Sequence, residues 1–363
     1  MYLALFNKRH YTGSTSLRDP APQPNQSGTC MKLFLIIPLA LACLYLGLAT
    51  LLTLTDAPSQ APATPSGGLD FASIADSPQH PLPEQQFYQA RDGANLPFRS
   101  YGELANAPRI LVLAHGSGWH GAQFNTMATA LAETGKTAVI VPDLRGHGIE
   151  PERRGDIDYI AQYEDDLADL IAMLQTVRPD AEIVLGGHSS GGGLVVRFAG
   201  GTHGALADRF VLLAPFLGET ATTSRPDSGG WAQVAIRRII GLVLFNQIGI
   251  TALNGLPVIS FAFPQAVLDG PQGHTATTSY SYRLNTGYSP RRDLAADLSA
   301  MQQPFLLLAG ANDEAFYADA YQALVSTHTS AGTYVIVPDL GHLDLVESPK
   351  ATEILAQWLA PDP

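Results

Sequence analysis

The sequence predicts an α/β fold with a mostly parallel central sheet and helices on both of its faces. Short apolar runs alternate along the chain with longer segments that carry apolar residues at helical spacing. One such run, 182–185, passes through a turn of small residues directly into a helical segment. Strands that alternate with helices form parallel sheets, because each connecting helix crosses over one face of the sheet.

The predicted elements of this fold occupy residues 85–363. Two strands, at 86–90 and 97–101, flank the turn signal Asp92-Gly93. The remaining predicted strands are buried-type apolar runs at 109–114, 137–141, 182–185, 210–215, 304–309 and 333–337. The predicted helices lie at 124–133, 159–177, 194–199, 293–301, 315–325 and 351–359. Residues 217–290 interrupt this alternation, so they are predicted to form an inserted, mainly helical cap.

Composition excludes several classes of protein. The chain has 363 residues with 46% hydrophobic content, enough for a large core. Its net charge of −12 argues against a nucleic-acid-binding surface, and no basic run contradicts this. The two cysteines, Cys30 and Cys43, precede the globular region, so neither a disulfide framework nor a thiolate metal site is expected. The histidines lack metal-site spacing, and no cofactor is predicted.

An uncharged stretch at 33–54 predicts a transmembrane signal anchor. As a helix it would span about 33 Å, enough to cross the hydrocarbon core of a bilayer. The basic residues that precede it are Lys8, Arg9, Arg18 and Lys32, and Asp56 follows it. The positive-inside rule therefore places residues 1–32 in the cytoplasm and the globular region on the extracytoplasmic side. A cleaved signal peptide, with Met31 as the true start, is the alternative.

Residues 55–84 are rich in proline, alanine and serine. Such a composition buries too little apolar surface to order the chain. This segment is therefore predicted to be a linker between the anchor and the globular region.

The turn after the run 182–185 has the pattern G-x-S-x-G, formed by Gly187, Ser189 and Gly191. Between a strand and a helix, this pattern is typical of a nucleophile elbow. The turn is so tight that only small neighbours fit, and the helix that follows offers free N–H groups to an anion. A glycine-rich turn without chemistry is the alternative interpretation, but the strand-to-helix context favours a catalytic Ser189.

A serine nucleophile needs a base, and that base needs a carboxylate to orient it. Asp313 and His342 each follow a predicted strand, and the order Ser189, Asp313, His342 is the order expected with this elbow. Asp313 could instead be a helix N-cap. The nearby acids that could take its place are Glu314, Asp339 and Asp344.

Two backbone N–H groups are expected to stabilise the oxyanion that forms during attack. One belongs to Ser190, the residue after the candidate nucleophile. The other is expected from Ser117, in the loop that follows the strand at 109–114.

Five motifs in this order resemble the α/β-hydrolase superfamily, and within it the monoacylglycerol lipase and lysophospholipase-like branch, which includes serine aminopeptidase-like hydrolases. They are H-G-S-G at 115–118, D-L-R-G-H-G at 143–148, G-H-S-S-G-G at 187–192, P-F-L-L-L-A-G-A-N-D at 304–313 and G-H at 341–342. The resemblance covers 85–360 apart from the cap. It implies a nucleophile at Ser189, an acid at Asp313, a base at His342 and oxyanion donors at Ser117 and Ser190. Where this chain has Ser190, that branch often has methionine, which makes this elbow more polar.

The function implied by the resemblance is hydrolysis of a small carboxylic ester, such as a monoacylglycerol or a lysophospholipid, through an acyl-enzyme. An aminopeptidase or amidase is one alternative. It would need acidic residues in the cap to hold the substrate amine, and the cap contains only Glu219, Asp227 and Asp269. A membrane-tethered binding protein without turnover is the other alternative.

Overall fold

The structure is a computed structural model that describes residues 26–59, 68–71, 81–226 and 230–360, with side chains from residue 36 onward. Its strands, in chain order, are β1 (Gln86–Gln89), β2 (Asn95–Tyr101), β3 (Arg109–Ala114), β4 (Thr137–Pro142), β5 (Glu182–His188), β6 (Arg209–Leu213), β7 (Ala232–Val234), β8 (Pro257–Phe261), β9 (Ser279–Ser281), β10 (Phe305–Gly310) and β11 (Gly332–Val337).

Helices connect these strands. They are α1 (Gln26–Leu54), α2 (Asn125–Glu133), α3 (Gln162–Val177), α4 (Ser190–Ala199), α5 (Ile236–Gln247), α6 (Gln265–Leu268), α7 (Tyr282–Tyr288), α8 (Leu294–Ala300), α9 (Ala320–Val325), α10 (Asp344–Glu347) and α11 (Pro349–Leu359). Short 3₁₀ helices lie at Leu104–Asn106, Gly121–Phe124, Gly204–Leu206 and Gly273–Thr275.

The main sheet confirms the predicted α/β class. Its eight strands have the order β1-β2-β4-β3-β5-β6-β10-β11, and β2 alone runs against the others. The helix predicted at 315–325 begins only at Ala320. The reason is local: the carboxylate of Asp313 accepts hydrogen bonds from the backbone of Ala315 and Phe316 and holds this stretch as a turn.

The core lies on both faces of the central strands. Every residue of β3 is buried, as is every residue of β5 after Glu182. Each fully buried valine, leucine or isoleucine contributes about 1.5–3 kcal/mol relative to an exposed one. This packing fixes the carboxyl ends of the parallel strands β3, β5, β10 and β11 along one edge, where ligands bind in sheets of this kind.

The cap, predicted as a mainly helical insertion at 217–290, has more residues in helices than in strands, but it also has strands that the prediction lacked. It contains α5, α6 and α7, but also an antiparallel sheet in the order β7-β8-β9. These strands leave no periodic pattern in the sequence, because they are only three to five residues long. Polar residues also occupy neighbouring positions across the sheet, at Gln233, Ser260 and Ser279, so no apolar alternation marks the strands.

The N-terminal helix α1 contains one segment, 36–54, that is long and apolar enough to cross a membrane. This segment has 19 residues and a mean hydropathy of 2.2, and the described residues contain one such helix. The helix begins at Gln26, earlier than the predicted anchor at 33–54. Residues 1–25 of the predicted cytoplasmic segment 1–32 lie outside the described residues.

The predicted linker at 55–84 is packed where residues 68–71 are described, and we call these residues the strap. The ring of Phe71 lies 5.5 Å from that of Trp231 and 5.9 Å from that of Phe263. The strap thus makes packing contacts, and the assignment of 55–84 as a linker stays a prediction. Leu69 and Phe71 are partly buried, and they pack against the hydrophobic core that includes Trp231 and Phe263.

Candidate active site

Ser189 occupies a strained turn between β5 and α4. Its backbone has φ 56° and ψ −120°, a conformation that non-glycine residues rarely adopt. Two backbone hydrogen bonds keep Ser189 in this strained conformation. The N–H of Ser189 donates to the carbonyl of Leu213, and the carbonyl of Ser189 accepts from the N–H of Phe216, each at 2.9 Å. The backbone therefore has the sharp strand-to-helix geometry of a nucleophile elbow.

Two glycines make this turn possible. A Cβ atom on Gly187 would lie 2.3 Å from the carbonyl oxygen of Gly191. A Cβ atom on Gly191 would lie 2.2 Å from the carbonyl oxygen of Ala114. Both distances are far below van der Waals contact, so the G-x-S-x-G spacing follows from steric exclusion around Ser189.

Asp313 and His342 form a buried pair at the ends of β10 and β11. The Nδ1 atom of His342 lies 2.8 Å from Oδ2 of Asp313. The other oxygen, Oδ1, accepts from the N–H groups of Ala315 and Phe316 at 2.8 Å each. The single carboxylate therefore caps the following turn and also pairs with the imidazole, so the two interpretations of Asp313 are compatible.

The electrostatics of the pair favour an ionised acid. Burial acts to raise the pKa of Asp313, but the electrostatic interaction with the His342 ring and the hydrogen bonds from His342, Phe316 and Ala315 outweigh it. The pKa of Asp313 is therefore lowered from its ordinary value. Because Nδ1 of His342 pairs with this carboxylate, Nε2 is the nitrogen left to act as a base.

The rival acids have other environments. Glu314 accepts from the backbone N–H of His342 at 2.7 Å, and Asp344 accepts from that of Gly341 at 2.7 Å. Asp339 is exposed and sits in a turn with φ 65°. Among these acids, only Asp313 has an oxygen within hydrogen-bond distance of the His342 ring.

Ser189 and His342 line the same pocket. Within the described part of the chain, the hydroxyl of Ser189 makes no hydrogen bond to His342. Contacts between a nucleophile and its base are often loose without substrate and tighten when it binds. The structure thus brings together the three side chains that the sequence singled out, with the contact between Asp313 and His342 already formed.

Ser117 and Ser190 meet beside the candidate nucleophile. Their hydroxyl oxygens lie 2.6 Å apart. Over the described residues, neither backbone N–H donates to a protein acceptor. The N–H of the neighbouring Gly116, in contrast, donates to Oε1 of Gln123 at 2.9 Å. Beside Ser189, the described residues therefore provide no acceptor for the backbone N–H groups of Ser117 and Ser190, which can donate to a ligand.

A hydrogen-bond chain that no sequence motif marks connects the loop after β3 with the end of β5 and the loop after β11. Gln123 bonds the N–H of Gly116 and, through Nε2, lies 3.2 Å from Nδ1 of His188. The Nε2 atom of His188 then lies 3.1 Å from the carbonyl oxygen of His342. Burial, followed by the nearby His342, lowers the pKa of His188 to about 3, so this residue is neutral at physiological pH. No motif marks Gln123, and His188 is only the variable position of G-x-S-x-G.

A second missed contact comes from the cap. The N–H of Gly118 donates to the phenolic oxygen of Tyr280, which lies 2.8 Å from Nε2 of His147. The carbonyl of Gly118 accepts from the N–H of Thr277 at 2.8 Å. The cap therefore holds the loop that carries Ser117, and no sequence spacing relates residues so far apart in the chain.

The walls of the pocket are mostly apolar. Besides Ser189 and His342 they are formed by Leu69, Phe71, Gly116, Ser117, Trp119, Gln123, His188, Trp231, Phe263, Val267, Leu343 and Val346. Core, cap and strap each contribute side chains. Such a pocket suits an apolar ligand with one polar group near the serine.

The family of this chain follows from its similarity to known proteins. The sequence profile of the family described as "Serine aminopeptidase, S33" matches residues 105–349. The probable protein phosphatase methylesterase 1 of Caenorhabditis elegans is 29% identical over 120 residues, which are 32% of this chain and 32% of that protein. This chain thus matches about a third of that relative's length.

Solved structures share the fold. A soluble variant of monoglyceride lipase from Saccharomyces cerevisiae has a TM-score of 0.59 at 16% identity, over 77% of this chain and 96% of that one. An esterase from Thermogutta terrifontis has a TM-score of 0.52 at 22% identity, over 76% of this chain and 98% of that one. The profile match spans most of the chain, and these structures have the same α/β-hydrolase architecture. The protein is therefore a member of the serine aminopeptidase S33 family of α/β-hydrolases.

Proposed function

We propose that this hydrolase cleaves carboxylic esters through an acyl-enzyme formed on Ser189. The observation that carries the proposal is the buried Asp313–His342 pair, 2.8 Å apart, beside a serine in a strained elbow and an apolar pocket. A group of this kind meets the requirements for an activated serine: a nucleophile, a base and an orienting carboxylate.

Each residue has a defined part in the proposed reaction. Ser189 Oγ attacks the ester carbonyl while His342 takes its proton, and the carboxylate of Asp313 stabilises the imidazolium. The N–H groups of Ser117 and Ser190 stabilise the oxyanion. His342 then gives the proton to the leaving alcohol, and water, activated by the same base, hydrolyses the acyl-enzyme.

The pocket supports an ester substrate rather than a peptide with a free amino terminus. A protonated amine in an apolar pocket needs a carboxylate partner, because an unpaired buried charge is very costly. Of the cap acids, Glu219 and Asp269 are exposed and do not line the pocket, and Asp227 lies outside the described residues. The methylesterase, monoglyceride lipase and esterase names of the similar proteins agree with this choice.

A substrate panel tests the proposal. p-Nitrophenyl esters with acyl chains of two to twelve carbons should be hydrolysed with kcat/KM at least about 100-fold above that for amino-acid p-nitroanilides. The physical reason is the lack of a carboxylate among the described lining residues to hold the amine. Higher kcat/KM for anilides would assign the enzyme to the aminopeptidases, and no turnover of either series would favour a binding protein.

We also propose that the apolar segment of α1 anchors the protein in a membrane, with the hydrolase region on the extracytoplasmic side. The length of segment 36–54 and its mean hydropathy of 2.2 support an anchor. The basic residues before it and Asp56 after it support this orientation.

Cell fractionation tests the anchor. The full-length protein should remain in the membrane pellet after washes with high salt and alkaline carbonate, because burial of a helix in the bilayer does not depend on charge contacts. Protease added to intact cells, after removal of any outer membrane or cell wall, should digest the hydrolase region. Release of a shortened, soluble protein would identify a cleaved signal sequence, and protection from protease would reverse the orientation.

A further inference from the structure

The strap, residues 68–71, lies in the pocket that contains Ser189. Leu69 and Phe71 are half-buried and line this pocket together with His342. Phe71 packs against Trp231 and Phe263, which belong to the cap side of the pocket. A segment that precedes the whole hydrolase sheet in the chain therefore forms part of the wall beside the candidate nucleophile.

Polar contacts fix the position of the strap. The N–H of Asp70 donates to Oε1 of Glu314 at 3.3 Å. The other oxygen of the same carboxylate accepts from the N–H of His342 at 2.7 Å. Glu314 thus connects the strap to the loop that carries the candidate base.

The chain before the strap is also held on the cap. The hydroxyl of Ser260, on β8, donates to the carbonyl of Ser59 at 2.7 Å. The hydroxyl of Ser59 donates to Oε1 of Gln233, on β7. The described part of the segment between the apolar helix and the sheet is therefore attached on both sides of the pocket, at the cap sheet and at the histidine loop.

We propose that the strap is the specificity-determining wall of the acyl pocket, with Phe71 limiting the length of the acyl chain. This inference rests on the proposed esterase function, since it assigns the acyl group to the apolar pocket. The ring of Phe71 packs against both Trp231 and Phe263, which contact one another with ring centroids 4.8 Å apart, and the three rings together line one side of the pocket. Each methylene group buried in an apolar site strengthens the binding constant by about fourfold. Room for a few methylene groups therefore decides which acyl-chain length is preferred.

The test compares full-length variants in phospholipid nanodiscs. Phe71→Ala should raise the ratio of kcat/KM for p-nitrophenyl octanoate to that for p-nitrophenyl butanoate by about tenfold or more, because the opened space admits at least two more methylene groups. Leu69→Ala should change the ratio in the same direction. Phe71→Trp, which adds volume, should lower it.

Leu82→Ala is the matched control. Leu82 lies in the same predicted linker and is 38% exposed, and it does not line the pocket. Its substitution should leave the ratio unchanged within about twofold, as expected for a surface site. Thermal unfolding of each variant shows whether it is folded. The opposite shifts expected from alanine and tryptophan at one position cannot both come from loss of fold.

A binding experiment separates this inference from the proposed function. In a Ser189→Ala background, calorimetry should show that Phe71→Ala strengthens binding of decanoate relative to butanoate by about tenfold. An enzyme that hydrolyses esters but keeps one chain-length ratio in all strap variants would overturn the role of the strap. An enzyme without ester turnover whose alkanoate binding still responds to Phe71→Ala would keep the strap as a pocket wall and reject the esterase proposal.

Discussion

Ser189→Ala is expected to reduce ester turnover by about 10⁴-fold or more and to leave the protein folded. The substitution removes the atom that is proposed to form the acyl-enzyme, and losses of this size follow removal of a serine nucleophile. The stability change should stay within about 1 kcal/mol, because one small hydroxyl is lost and the strained backbone is equally available to alanine. Steady-state kinetics on a p-nitrophenyl ester, with thermal unfolding, measures both effects.

The adjacent serine provides the matched control. Ser190→Ala removes the hydroxyl that meets Ser117 at 2.6 Å but keeps the backbone N–H that is proposed to bind the oxyanion. We expect it to lower turnover by less than about tenfold, since only a neutral hydrogen bond is lost. Activity of Ser189→Ala above a few per cent of wild type, in a preparation free of host esterase, would place the nucleophile elsewhere.

Asp313→Asn is expected to lower kcat by about 100-fold or more with little effect on the fold. The amide keeps the shape of the carboxylate, but it removes the charge that stabilises the imidazolium, and it can favour the wrong tautomer of His342. In a serine protease the same change costs about 10⁴-fold. The lowered pKa of Asp313 means that the charge is present at neutral pH, so its removal should lower kcat at that pH.

The same substitution at two nearby acids serves as the control. Asp339→Asn should change kcat very little, because Asp339 is exposed and asparagine tolerates its positive φ. Asp344→Asn keeps an oxygen that can accept from Gly341, so its cost should be below about tenfold. If kcat fell strongly at 339 or 344 and little at 313, the acid would have to be reassigned.

The pH dependence of stability should reflect the same carboxylate. A group with a lowered folded-state pKa contributes stability above its unfolded pKa of about 3.9, and this contribution is lost as pH falls through the folded-state pKa. The contribution of Asp313 is therefore complete at neutral pH and disappears only in acid. This is why the kinetic comparison of the aspartate variants should be made near pH 7.

The alternation of apolar runs and helical segments was sufficient to predict the sheet and its helices. Parallel strands such as β3 and β5 are buried on both faces, so their residues must be almost uniformly apolar, and that requirement is visible in the sequence. The elbow could be predicted for a similar reason. Steric exclusion at Gly187 and Gly191 leaves few residue types possible, and the motif records this local constraint.

The cap sheet and the strap could not be predicted in the same way. Strands β7 and β9 have three residues each, too few for a periodic pattern. Leu69 and Phe71 are large apolar residues in a segment whose average composition favours a linker. Their burial depends on aromatic partners on the cap, far away in the chain, and local composition carries no information about them.

By itself the sequence determined the α/β class, the S33-type motifs and the candidate residues Ser189, Asp313 and His342, because each depends on a run or a spacing within a few residues. Only the tertiary structure decided which acid contacts His342, since the four candidates all follow β10 or β11 closely in the chain and differ in geometry. It also decided that cap and strap complete the pocket. These are contacts between segments that only folding brings together, so their physical basis is packing and not local pattern.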